Sequence, residues 1–301
     1  MESSPLAHFI DLVITGLAVG ALYGLVALSI SIIYAGLDIV HFAQGEILTM
    51  GAFFCWVLVY NQGLSMPAAC LLAVAATVVV AVIIQRVVYN SILKFGGGFT
   101  VRGITFMVAG FGVSTVLQNL YWIIWNPMPK PFAFELGSPI VLGSIRLQPV
   151  YALILAVSMV LMIALAVFFK KTRLGLAVLA VSYNKPVSSL MGINVNRTMS
   201  VTFGLAAALT AAAGILIAPI TFVQYNMGLV ILQKAFCAAV IGGFGNVTGS
   251  ILGGLILGVA ESLGAGYIST GHKDMIGFII MIVMLMIRPG GIFNFRVKQK
   301  A

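Results

Sequence analysis

Glu46 is the carboxylate in this 301-residue chain that most needs an explanation, because it falls in HFAQGE, inside a long apolar stretch. A charge near the centre of a bilayer costs roughly 2.5–3.5 kcal/mol on insertion scales. Glu46 therefore marks a pathway or a partner, unless it sits near an interface or accepts hydrogen bonds from backbone amides freed at a break beside Gly45. Gln44, Gly45 and Glu46 are candidates for a translocation pathway or a helix break, with His41 and Gln44 expected to cap that break. Farther on, Gln118 and Asn119 can line a polar path or hydrogen-bond between helices.

A second group of residues suits docking rather than reaction. Between 170 and 198 the chain carries Lys170, Lys171, Arg173, Lys185 and Arg197 with no acidic residue. Within it Val187, Leu190 and Met191 fall at i, i+3 and i+4, one apolar face of a short helix. Asn184 is a suitable N-cap, Pro186 fits the first turn, and Gly192 can end the helix. Such a helix can lie on the membrane interface or dock in a partner's groove.

Catalytic constellations are absent from the sequence. It holds no G-x-x-x-x-G-K-[ST] phosphate loop, and His8, His41 and His272 are scattered. No catalytic residue, metal ligand or cofactor of its own is expected, so any energy source must be a partner or an ion gradient. Cys55, Cys70 and Cys237 lie apart in apolar surroundings and read as small buried hydrophobes.

The elements that must hold these residues are membrane helices. The chain is 61% hydrophobic and 8% charged, too little charge for a soluble surface. Its net charge of +9 lies between apolar runs rather than on one polar face, which reads as topology and excludes nucleic acid as a partner. About eight segments of membrane length or near it can be drawn, at 9–35, 38–61, 65–89, 103–125, 149–169, 199–222, 235–262 and 275–288. The first is too long for a signal-peptide core and is expected to be retained. Asp38, Glu261 and Asp274 fall near segment ends, where ordinary solvation would account for them. The fold class is an all-α polytopic membrane bundle, one transmembrane domain over 1–301 with the basic loop, 170–198, inside it.

Arg86, Lys94 and Arg102, the 170–198 loop, and Arg288, Arg296, Lys298 and Lys300 are all expected on the cytoplasmic side. Three full crossings after the loop would leave the tail on the wrong side. The seventh segment, AVIGGFGNVTGSILGGLILG, is the expected exception, a broken or re-entrant Gly-rich element with Gly245, Asn246 and Gly249 at the break or on the pathway. Gly16, Gly20 and Gly24, and likewise Gly245, Gly249 and Gly253, make consecutive GxxxG steps suited to close helix packing.

Several blocks in order carry a family resemblance. They are GALYGLVALSISIIYAGLDIVHFAQGEILTMGAF, then TRLGLAVLAV with GINVNR, then KAFCAAVIGGFGNVTGSILGGLILGVAES with YISTGHKD, and the closing RPGGIF. The chain resembles the permease subunits of high-affinity branched-chain amino acid ABC importers, and within them the LivH-type member of the permease pair. The resemblance implies a second homologous permease (LivM-like), two cytoplasmic ATPases (LivG-like and LivF-like) that bind the ATP and Mg, a periplasmic substrate-binding protein, and a bacterial inner membrane. It implies that the loop helix is a coupling helix, with Arg173, Asn184, Pro186, Val187, Leu190, Met191 and Gly192 as the ATPase-coupling residues. Transport would run by alternating access toward the cytoplasm, with branched-chain amino acids or related small amino acids and amides as cargo. The chain departs from the family where acidic residues are common mid-loop, at Ser182, Tyr183, Asn184 and Lys185, and where His is common, at Gln44. The competing reading is an ion-coupled secondary transporter or channel that works without ATPases, through Glu46 and a broken helix.

Overall fold

The computed structural model describes residues 5–37, 40–94, 99–134, 137–138, 140–142 and 145–293. Asp38, Arg296, Lys298 and Lys300 lie outside the described residues, as do the side chains of Lys94 and Arg102. Two compact units share the chain: the first comprises Met1–Ser31, Phe134–Met162 and Gln233–Ala301, the second Ile32–Ala133 and Ile163–Leu232.

Helices dominate, as the apolar runs require when backbone polar groups must be satisfied without water. They are α1 (Pro5–Leu37), α2 (Gln44–Tyr60), α3 (Met66–Ile84), α4 (Asn90–Lys94), α5 (Phe99–Trp125), α6 (Pro149–Lys171), α7 (Arg173–Tyr183), α8 (Lys185–Leu190), α9 (Val195–Thr221), α10 (Met227–Gly242), α11 (Val247–Tyr267) and α12 (Lys273–Ile287). A π-helical turn at Gln85–Tyr89 joins α3 to α4, and a 3-10 turn at Thr270–His272 leads into α12. The one departure from helix among the described elements is a small antiparallel hairpin, β1 (Ile140–Leu142) with β2 (Ile145–Leu147). Among the described residues, seven helical stretches are long and apolar enough to cross a membrane.

In the second unit α2, α3 and α9 pack together, with α5 and α7 against them. Three expectations change here. The 38–61 segment is not one run with a polar interruption in its middle: the helix starts at Gln44, so HFAQGE forms its approach and first turn. His41 caps nothing with its ring, and Ala43 is the N-cap residue, with no side-chain cap bond. The basic loop holds two helices, α7 and α8, where one was expected.

In the first unit the Gly-rich seventh segment is two helices that turn back on each other. A Cβ on Gly249 would strike the Gly242 carbonyl and one on Gly253 the Ala238 carbonyl, so α10 and α11 run antiparallel in close contact. The turn needs Gly243 at φ +106° and Gly245 at φ +82°, which side chains resist. The tail closes over it, with Ile292 N–H donating to the Ile241 carbonyl at 2.9 Å and Phe293 N–H to the Gly242 carbonyl at 3.2 Å. The break is therefore the turn of a hairpin held to residues 292–293. Between the basic loop and the tail the Gly-rich segment thus supplies two helices, and α10 is the one shorter than a full crossing.

The GxxxG residues pack within the chain, in a shifted register. Gly254 meets the backbone of Gly24 and Gly258 that of Gly20 and Gly16, so α1 and α11 run antiparallel through their smallest residues. Gly249 and Gly253 face α10 instead, and Gly245 is in the turn.

Candidate functional site

The first turn of α2 is fully buried and lies at mid-depth in the second unit. Gln44 Nε2 donates to Thr210 Oγ1 at 2.6 Å and to the Ala206 carbonyl at 3.3 Å, near the middle of α9. Ser114, near the middle of α5, donates through Oγ to Glu46 Oε1 at 3.2 Å. Tyr121, two turns on, donates its hydroxyl to the Glu46 carbonyl at 2.9 Å. Glu46 is 2% exposed, and its Oε2 has no hydrogen-bond partner among the described residues. At the first turn of a helix the macrodipole favours such a carboxylate.

A second helix start meets the first at this level. Gly45 and Gly228 lie so close that a Cβ on Gly45 would come 2.6 Å from the Gly228 carbonyl oxygen, and Gly228 N–H donates to Thr49 Oγ1 at 3.1 Å. With 17 and 16 residues, α2 and α10 are each about 25 Å long, shorter than a full crossing. Helix starts that bring polar side chains to mid-depth are the usual construction of a transport site. Beside it, Gln118, Asn119, Trp122 and Tyr225 line an open pocket of about 250 Å3. Gln118 and Asn119 thus fall on one pocket wall, with Asn119 Nδ2 also donating to the Thr115 carbonyl at 2.7 Å. This chemistry can hold an ammonium or amide group against a carboxylate.

His41 is buried against Tyr89 and Phe203, with ring centroids 5.1 and 5.3 Å away, and neither ring nitrogen has a partner among the described residues. It is a packed ring in this arrangement.

The basic loop is built to present one face outward. Thr172 caps α7, its Oγ1 accepting from Gly175 N–H at 2.9 Å, and α7 packs on α9 with Gly175, Val178 and Val181 buried. Asn184 Oδ1 accepts from Val187 N–H at 3.0 Å as the N-cap of α8, with Pro186 in the first turn. Gly192, at φ +82°, ends that helix. Ser188 is the residue α8 buries, while Val187, Leu190 and Met191 are 52%, 86% and 77% exposed. Arg173 is exposed at the start of α7. The face lies at the basic end of the second unit, because Ser200 near the start of α9 donates to Gln85 Oε1 at 2.9 Å, beside Arg86.

Gly245, Asn246 and Gly249 are brought together, but as a turn. Asn246 Oδ1 accepts from Gly249 N–H at 3.1 Å and caps α11, while its Nδ2 donates to the Phe293 carbonyl at 3.2 Å. Together they hold the α10–α11 hairpin to residues 292–293.

Sequence reasoning missed a buried charge cluster in the first unit. Lys234 Nζ lies 2.8 Å from Glu261 Oε2 and 2.6 Å from Asp274 Oδ1, and Tyr23 donates its hydroxyl to Glu261 Oε2 at 3.0 Å. Glu261 is 1% exposed, so ordinary solvation does not account for it. The available signal was Lys234 itself, a lone cation in the largely apolar run GLVILQKAFCAAV.

Residues 12–287 match the family model described as branched-chain amino acid transport system / permease component. The high-affinity branched-chain amino acid transport system permease protein BraD of Pseudomonas aeruginosa is 32% identical over 95% of this chain and 96% of its own. The corresponding permease protein LivH of Escherichia coli is 29% identical over 97% of each chain. A chain of PsaBC from Streptococcus pneumoniae, solved in complex with Fab, shares the fold with a TM-score of 0.51 at 15% identity, over 94% of this chain and 93% of that one. With the family matched over nearly the whole length and its helices in place, the chain belongs to the permease components of branched-chain amino acid transport systems.

Proposed function

We propose that the chain is the LivH-type membrane subunit of a binding-protein-dependent ABC importer in the bacterial inner membrane. It moves branched-chain amino acids, or related small amino acids and amides, from periplasm to cytoplasm. It pairs with a LivM-like permease, takes substrate from a periplasmic binding protein, and is driven by two cytoplasmic ATPases of the LivG and LivF kind, which bind the ATP and Mg. The observation that carries this reading is α8. A short, doubly capped helix leaves three apolar side chains in the open at the basic end of the unit, where the positive-inside rule puts the cytoplasm. The buried face of α7 ties α8 to α9, so movement of α8 by a docked ATPase reaches the helix that carries Thr210 and Ala206.

The path runs past the start of α2. Glu46 Oε2 offers a buried acceptor for the substrate ammonium, and Gln118 and Asn119 offer amides to its carboxylate. ATP binding closes the ATPases and moves α8, and the site at mid-depth is exposed first to the binding protein and then to the cytoplasm. Leu190→Asp places a charge in the docking face without touching the bundle. ATPases that no longer co-purify with a normally inserted permease are the expected result. Retention of the ATPases at wild-type stoichiometry, with ATP turnover still coupled to uptake, sinks the docking assignment.

A further inference from the structure

The cysteines of α2 and α3 lie 15 residues apart in sequence, yet the α2–α3 hairpin brings them into contact, with Cys55 Sγ 3.7 Å from Cys70 Sγ. Both belong to the second unit. The hairpin turn between them, Asn61–Ser65, is at the end of α3 opposite Arg86, and Arg86 sits with the basic loop. That turn is therefore periplasmic. Three further observations agree: Trp56, Tyr60 and Trp125 gather at this end, as aromatic rings do at a membrane surface. Cys70 is one turn into α3 and partly exposed. Cys55 is about 16 Å along α2 from the mid-depth Gln44, at 1.5 Å per residue, close to the outer edge of the hydrocarbon.

We infer that Cys55 and Cys70 form a disulfide that fastens α2 to α3 at the periplasmic surface. Thiols persist reduced in the cytoplasm and are oxidised in the periplasm, so a contacting pair at this level is on the oxidising side of the membrane. The oxidant is an external disulfide, such as that of a periplasmic thiol oxidase. The more accessible Cys70 attacks it as the thiolate, forming a mixed disulfide and releasing one thiol. Cys55 then attacks the Cys70 sulfur, the Cys55–Cys70 bond forms, and the second thiol leaves. The two electrons and two protons of the cysteine pair end on the external disulfide, now two thiols. Cys237, on α10 and buried, has no such neighbour among the described cysteines and stays reduced. The bond fixes the outer end of α2 and leaves its inner start, with Gln44 and Glu46, free to respond to α9.

The test counts thiols on the full-length chain in membranes from cells expressing the assembled transporter. Membranes are incubated with oxidised glutathione, denatured, and labelled with polyethylene-glycol maleimide with or without prior reduction. One adduct without reductant and three with it are expected for the native sequence. Cys70→Ser is expected to give two adducts under both conditions, and Cys55→Ser, in which Cys70 keeps its glutathione, one without reductant and two with it; Cys70→Ser is the control, because it shows that buried Cys55 is blocked only through Cys70. Three adducts without reductant, or a linked species that runs as two chains, overturns the assignment. ATPase binding plays no part in this readout, so failure of the importer reading and failure of the disulfide are separable.

Discussion

Glu46 Oε2 carries the pathway reading, since a buried carboxylate oxygen without a partner has been desolvated without compensation. Hydrogen bonds to charged groups are worth about 1.5–3 kcal/mol. Glu46→Gln keeps the shape and the Ser114 contact while removing the charge. Uptake is expected to fall by roughly ten- to a hundredfold, with the amount of protein in the membrane unchanged; wild-type uptake would remove Glu46 from the path. The Lys234 cluster makes a different prediction, about stability. Removing one member of a buried ion pair costs about 3–5 kcal/mol, whereas replacing both with apolar groups is far milder. Glu261→Met alone is expected to lower the unfolding temperature in detergent more than the double substitution Lys234→Met with Glu261→Met, and the reverse order would show that the pair contributes nothing. Glu46 was legible in the sequence because a lone acid in an apolar run has no local explanation. Lys234 and Glu261 were not, because their contact spans 27 residues and each alone resembles a charge at a helix end.

At the scale of elements, the closest packing is where backbones touch. A side chain on Gly258 would enter the backbone of Gly16 and Gly20, while Gly112 on α5 has nothing within 4 Å of a Cβ. Gly258→Leu is expected to prevent α1 and α11 from packing, seen as loss of a monodisperse peak in detergent. Gly112→Ala is expected to be neutral or to stabilise by up to about 1 kcal/mol through helix propensity. Equal behaviour of the two variants would contradict the α1–α11 contact. The Gly-rich break was legible from composition, but its place was not: a continuous apolar run shows where a chain is buried, not where it turns. Only the positive φ of Gly243 and Gly245 and the tail bonds settle that. The α8 caps were legible because Asn184, Pro186 and Gly192 act over three or four residues. Helix α7 escaped notice because it starts inside the charged run Lys170, Lys171 and Arg173, which reads as loop, and the signal for its start is one capping threonine, Thr172.

For the whole molecule, composition alone gave the membrane class, and the order of several motif blocks gave the family. The side of the N-terminus required the structure. In the first unit α1 and α11 are antiparallel, so the N-terminal end of α1 lies at the Tyr267 end of α11, where His8 meets Tyr267 at 6.0 Å between ring centroids, and the tail lies at the other end. An N-terminal epitope tag is therefore expected to be reached by antibody in intact spheroplasts and a C-terminal tag only after permeabilisation. The central claim is that this permease moves substrate only when ATPases drive it. The most direct measurement is uptake of labelled leucine into proteoliposomes holding this chain and its companion permease, with the binding protein outside and with or without the ATPases and enclosed ATP. The account predicts uptake only when ATPases and ATP are both present. Uptake by this chain alone, sustained by an ion gradient in the absence of ATP, would contradict it.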